Sequence, residues 1–313
     1  NLFLPQFDNL KVLKSINGSI DDIKNVSSFP TIKDLLLHTA GFSYNFLGDS
    51  VGENYNKVGL FNSESTTLEE EINLLSTIPL LYEPGSRWVY SVSVDVLARI
   101  IEVVAGSKLQ EVLKKKIFDP LNMNDTSFSV SEKNKSKLMK SYHYDVKKNK
   151  LIDPLTHPRK ISNYGYPINK KTFARGGIGL FSTVNDYSKF AEMLLSGKTK
   201  KNKTILSDTM LKLATTNQIS SNFLPFEIKN FDVEKLEENA FEPYGFGFGF
   251  RIMMNLEKFG GLGSLGEFGW GGAASTFFLV DPANDLTAVL MTQVFEGDPA
   301  LLQDFFKAIY KNL

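Results

Sequence analysis

The chain has 313 residues, with 35 Lys and Arg against 35 Asp and Glu. A formal charge of zero argues against nucleic acid or an anionic membrane surface as a partner held by bulk charge. The absence of cysteine removes disulfides, thiol nucleophiles and Cys-based metal sites. At 42% hydrophobic and 22% charged residues the composition is that of a globular chain, of roughly two domains' length and large enough to bury a core without staples.

Taken in order, Pro30-Thr31-Ile32-Lys33-Asp34 opens a helix, with Thr31 as cap and Asp34 at capping-box spacing. Ile32, Leu35 and Leu36 share a face of this short helix, and Gly41 is the expected left-handed stop. Residues 44–66, rich in Asn, Gly and Ser, read as a long irregular loop. Thr66 or Thr67 opens a second helix with Glu69, Glu70 and Glu71 in its first turn, where the helix dipole favours acids. A third helix is expected from Ser91 or Ser93, with Leu97, Ile100, Ile101 and Val104 on one face and Gly106 ending it. Residues 109–117 read as another helix and 138–157 as a hairpin around Lys147-Lys148-Asn149-Lys150.

Thr183 with Asp186 reads as another capping box opening a helix, 207–214 reads as a further helix, and 216–240 is polar and irregular. The character then changes. Residues 244–250 alternate Gly with aromatics and read as one strand, 274–280 and 286–294 as two more, and 301–310 as a closing helix. Helices followed by antiparallel strands make the fold class α+β rather than an alternating parallel sheet. The division expected is a mostly helical region over 1–240 and a sheet region with its C-terminal helix over 241–313.

No metal or cofactor is expected. The histidines, His38, His143 and His157, form no H-E-x-x-H pair, and His143 and His157 with Asp145 and Asp153 read as surface hairpin residues. Arg175-Gly176-Gly177-Ile178-Gly179-Leu180 lacks the lysine of a phosphate-binding loop. No apolar run reaches the ~20 residues a membrane-spanning helix needs.

Three segments remain: Leu37-His38-Thr39-Ala40-Gly41-Phe42, Trp88-Val89-Tyr90-Ser91 and Phe268-Gly269-Trp270-Gly271-Gly272-Ala273. Together with Glu83-Pro84-Gly85, Gly176-Gly177 and Asp281-Pro282, they resemble the serine β-lactamase-related superfamily, nearest its class C-like branch and the family VIII carboxylesterases. The resemblance covers nearly all of the chain. It implies a β-lactamase/transpeptidase-like fold, an antiparallel sheet flanked by helices plus a mostly helical domain. Tyr90 matches the catalytic tyrosine, with His38 and Ser91 as pocket residues. Trp270 stands at the Lys or His of the third motif, Gly271 and Gly272 complete its turn, and the Ala273 N–H supplies half of an oxyanion hole. Val92 replaces the Asn of the second motif.

The family's Ser-x-x-Lys is the departure. None of the serines has Lys three places on, and Thr209-Met210-Leu211-Lys212 has the spacing in the wrong order along the chain. Because residues 1–10 resemble the stretch that follows this motif in the family, the pair and the first sheet strands are expected upstream of residue 1, and residues 1–313 alone are expected to be inactive. The activity implied is hydrolysis of small uncharged esters through an acyl-enzyme. A β-lactamase or D-peptide hydrolase and a non-catalytic binding or assembly protein are the alternatives. The partner expected is a small-molecule ester, with no nucleic acid.

Overall fold

The computed structural model describes residues 2–60, 67–153, 174–226, 228, 241–295, 297, 298, 300–311 and 313. Two compact units are built from interleaved stretches of chain. The first takes its described residues from 2–60, 67–113, 174–179 and 219–228, the second from 114–153, 180–218 and 241–313.

In the first unit β1 (Lys11–Leu13) pairs antiparallel with β2 (Ile23–Asn25). Helix α1 (Ile32–Leu36) starts on the expected capping box, both halves of which form between Thr31 and Asp34. It ends before Gly41, and the first left-handed residue after it is His38, at φ 56°. Gly41, at φ 93°, serves a close approach instead: a Cβ there would lie 2.2 Å from the Tyr82 carbonyl oxygen.

The stretch expected as loop over 44–66 contains α2 (Ser50–Lys57). Its start is hidden by composition but built locally. Asp49 accepts from the Val51 and Gly52 N–H groups at 3.1 and 2.8 Å, and Val51 and Tyr55 are wholly buried on the inner face. Helix α3 (Leu68–Leu75) carries the Thr67–Glu70 capping box. Helix α4 (Ser93–Ala105) ends at Gly106 in the left-handed region, as its sequence requires. Helix α5 (Leu109–Leu113) is shorter than expected, because the chain widens into a π-type turn over Lys114–Phe118.

The second unit begins with α6 (Asp119–Leu121) and the expected hairpin, β3 (Tyr142–Asp145) against β4 (Lys150–Ile152). Helix α7 (Val184–Ser196) is capped by Thr183, but no reciprocal bond closes the box. The Asp186 carboxylate accepts from the Asp125 N–H (2.7 Å) and Thr126 Oγ1 (3.1 Å) instead. Helix α8 (Asp208–Ala214) follows its Ser207 cap.

The main sheet then runs β5 (Tyr244–Phe246), β6 (Arg251–Met253), β7 (Phe268–Gly272), β8 (Thr276–Asp281) and β9 (Leu286–Leu290), in that order and antiparallel throughout. The Gly-Phe alternation is therefore a hairpin rather than one strand: Phe246 pairs with Arg251, and Gly249 supplies a positive φ of 87° between them. A short β10 (Val294–Phe295) joins β3 in parallel, and α9 (Leu301–Tyr310) closes the chain. Helix α7 packs its Tyr187 and Phe190 on Phe278 of β8, while α9 sets the wholly buried Phe306 beside Phe259 and the Arg251 guanidinium.

Candidate active site

In the first unit the structure brings His38, Tyr90 and Ser91 together. The segment leaving α1 lies along the segment entering α4. The Val89 N–H donates to the His38 carbonyl (2.9 Å), the Ser91 N–H to His38 Nδ1 (3.1 Å), and the Val92 N–H to the Ser43 carbonyl (3.1 Å). Ser91 Oγ stands 3.2 Å from the same Nδ1 and 2.8 Å from Ser93 Oγ. His38 and Ser91 are buried; Tyr90 is half-buried. Burial pushes the His38 pKa down to about 3, so the imidazole is neutral across the working range.

Tyr90 is surrounded by aromatic rings. Its centroid lies 4.9 Å from His38, 5.2 Å from Tyr44 and 6.4 Å from Trp88, and Trp88 is backed by Phe226 at 4.5 Å. Val92 is wholly buried, so this position offers no side chain to a substrate.

Two residues that sequence reasoning passed over belong to the same neighbourhood. Tyr44 is buried, stacks on Phe46 at 4.8 Å, and is held a phenol, its pKa pushed well up by burial and by the Asp95 and Tyr90 charges against the opposing pull of Arg175. Asp95, also buried, accepts from the Gly176 and Gly177 N–H groups at 3.1 and 3.3 Å and lies 3.7 Å from Arg175 Nε; Arg175 in turn reaches Glu71 at 3.4 Å. Burial raises the Asp95 carboxyl even though Arg175 and these two N–H groups favour its charge. The glycines are required: a Cβ on Gly176 would sit 1.9 Å from the Val94 carbonyl oxygen, and one on Gly177 would sit 2.7 Å from the Tyr44 hydroxyl. The signal available in the sequence was the alternation Phe42, Tyr44, Phe46 directly after His38.

The third segment lies in the second unit. Gly271 and Gly272 were expected to complete a turn, but they are strand residues of β7, opposite Phe277 and Thr276. The turn is made by residues 273–275, with Ala273 and Gly272 exposed and Ser275 at φ 55°. The Ser275 N–H closes on the Gly272 carbonyl (3.0 Å), and Thr292 Oγ1 donates to the Ala274 (2.6 Å) and Ser275 (3.0 Å) carbonyls. Trp270 is half-buried against Phe246 (5.4 Å, edge-on) and Phe241 (6.1 Å, stacked).

Among the described residues no group of three or more His, Asp or Glu is placed to hold a metal ion. His143, expected at the surface, is buried in the middle strand of the β10-β3-β4 sheet; His157 lies outside the described residues.

A family model described as Beta-lactamase matches residues 27–309. The chain belongs to the beta-lactamase family. Its fold is the family's β-lactamase/transpeptidase-like fold, and the family is one of serine hydrolases. The chain is similar to a lovastatin esterase from Penicillium rubens, 28% identical over 317 residues that cover 95% of this chain and 74% of the relative. It is similar to esterase EstB from Burkholderia gladioli, 25% identical over 279 residues covering 85% and 66%. Among solved structures it resembles EstCE1, a hydrolase with promiscuous acyltransferase activity, with a TM-score of 0.75 at 23% identity over 99% of this chain and 80% of the other. No helix among the described residues is long and apolar enough to cross a membrane.

Proposed function

We propose that the protein is a carboxylesterase cleaving short, uncharged esters through an acyl-enzyme, with Tyr90 moving the proton. The observation that carries this reading is the side chain at position 270. A lysine in the third motif offers a point charge to the carboxylate of a β-lactam or D-peptide, whereas an indole offers one N–H and a large apolar surface. The buried Val92 in place of the second-motif amide removes a further polar contact for an amide-bearing acyl group. Together the changes favour a substrate that carries neither a carboxylate nor an amide side chain to be held. The esterase names among the relatives agree with it.

In this reaction a serine Oγ attacks the ester carbonyl while its proton passes to the Tyr90 phenolate. The Ala273 N–H and the N–H of the serine hold the developing oxyanion, each donor being worth about 2.7–4 kcal/mol of barrier. Tyr90 then returns the proton to the departing alkoxide, which leaves as the alcohol, and water repeats the sequence on the acyl-enzyme. A free tyrosine ionises near ~10, so the phenolate needs a cationic lysine beside it. The 313 residues contain no Ser-x-x-Lys, so on this reading serine and lysine come from outside them.

That same absence favours a second reading, a member of the family that binds without turnover. Fluorophosphonate labelling separates the two. The protein as its gene encodes it should label and should hydrolyse a p-nitrophenyl butyrate in preference to a chromogenic cephalosporin. A chain of residues 1–313 should do neither. No labelling of the gene-encoded protein supports the non-catalytic reading, and preference for the cephalosporin makes the protein a β-lactamase.

A further inference from the structure

Residue 38 touches the Tyr90 neighbourhood in three ways. Its carbonyl takes the N–H of Val89, the residue before Tyr90, at 2.9 Å. Its ring nitrogen Nδ1 takes the N–H of Ser91, the residue after Tyr90, at 3.1 Å. Its ring lies 4.9 Å from the phenol ring itself. The backbone around Tyr90 is thus clamped from both sides by one residue, with an imidazole nitrogen playing the part of a partner-strand carbonyl.

For Nδ1 to accept a peptide N–H it must carry no proton, so the neutral ring holds its hydrogen on Nε2. Burial keeps it neutral. The backbone pays for this arrangement, because His38 sits at φ 56°, a left-handed conformation that glycine or asparagine adopts more readily. Strain of this kind persists only where the surroundings over-determine it, and it gathers at functional sites.

We propose that His38 is a positioning residue for Tyr90, using its carbonyl and its Nδ1 together to fix the direction of the phenol. This rests on the reading of Tyr90 as the proton-transfer residue. It assigns His38 a role through Tyr90 rather than a contact with substrate.

The test uses His38→Gly, which suits the backbone angle but removes the ring acceptor, and His38→Asn, which suits the angle and keeps an acceptor oxygen. The gene-encoded protein is labelled with ¹³Cζ-tyrosine, and the Tyr90 signal is identified by its loss in Tyr90→Phe. His38→Gly should move or broaden that signal and lower kcat by about 10²-fold with KM changed less than about 3-fold, as misplacement of a reacting group does. His38→Asn should restore the signal and most of kcat. A folded His38→Gly protein whose Tyr90 signal is unmoved overturns the proposal, and so does a folded His38→Asn protein whose signal is displaced. Should His38→Gly not fold, His38→Asn still decides. If His38→Gly moves the signal while Tyr90→Phe keeps normal turnover, the positioning stands and the proton-transfer role of Tyr90 falls.

Discussion

Behind the main sheet a single hydroxyl faces two carboxyl groups, and that geometry demands a proton. Tyr310 of α9 places its oxygen 2.6 Å from Glu267 Oε2 and 2.8 Å from Asp281 Oδ2, both side chains being buried. A phenol has one hydrogen. If both carboxylates were ionised, one of these contacts would set lone pair against lone pair, so one carboxyl must donate. Burial pushes Glu267 up to about 7, against the pull of Tyr310, the Ser264 N–H and the Arg251 guanidinium and with the added push of Asp281. Burial also acts on Asp281, but hydrogen bonds from Asn284, Ser264 and Tyr310 outweigh it and hold Asp281 below the ordinary range. Below about pH 7 Glu267 therefore carries the proton and can donate to Tyr310 while Tyr310 donates to Asp281; above it Glu267 ionises and competes with Asp281 for the one phenol hydrogen. Tyr244 and Phe306 complete the surroundings, with Arg251 stacked over both rings.

A carboxyl whose pKa is raised by folding stabilises the fold fully below its unfolded value, near 4.5, and loses that contribution as pH rises through 7. The whole effect is about 3 kcal/mol. His38 works in the opposite direction: its pKa is depressed from 6.5 to about 3, so its contribution is present above 6.5 and is lost as pH falls. Total stability mixes the two, and the difference between wild type and Glu267→Gln isolates one. Glutamine donates to Tyr310 at every pH. Urea unfolding at pH 8 and pH 5.5 should show wild type gaining about 2 kcal/mol on Glu267→Gln at the lower pH, from 1.5 pH steps at ~1.4 kcal/mol each. A difference that does not change with pH, or that favours wild type at pH 8, refutes the shared proton.

Tyr90→Phe in the gene-encoded protein should lower kcat by about 10²-fold or more while the melting temperature holds, since one hydroxyl is lost and the ring stays; steady-state kinetics with a p-nitrophenyl ester check this. Trp270→Lys should slow ester turnover and improve binding of a carboxylate-bearing substrate, with a gain that shrinks as salt is added, read from inhibition constants at two ionic strengths. Gly176→Ala should cost about 2 kcal/mol or more in denaturant unfolding, because its Cβ would lie 1.9 Å from the Val94 carbonyl oxygen.

What could be read from the sequence was what is local. The caps at Thr31, Thr67 and Thr183, the glycine stop after α4 and the closing helix α9 all rest on contacts within four residues, and all stand where their residues put them. Helix α2 escaped because its polar composition resembles a loop while its cap, Asp49, is one residue among many of its kind. Tyr44 and Asp95 escaped for a different reason. Their meaning depends on Gly176 and Gly177, about eighty residues beyond Asp95, and no periodicity within α4 announces a partner at that distance.

The third motif shows how the same letters serve another purpose once strands are paired. Gly269, Gly271 and Gly272 suggest a turn, yet each is in β7, and the reason is the neighbour rather than the bend. A Cβ at 269 would lie 2.0 Å from the Phe278 carbonyl oxygen, at 271 2.8 Å from the Phe277 ring, and at 272 2.3 Å from Thr276 Oγ1. The backbone of β8 comes too close for a side chain at 269, and at 271 and 272 a Cβ would press on the Phe277 ring and the Thr276 hydroxyl, so from Gly269 to Gly272 Trp270 is the only side chain beyond hydrogen that β7 carries. In a segment built this way Trp270 is the position whose side chain can be exchanged without adding a Cβ against β8. That is why substitution at 270, more than at its neighbours, is the place to ask what the protein accepts.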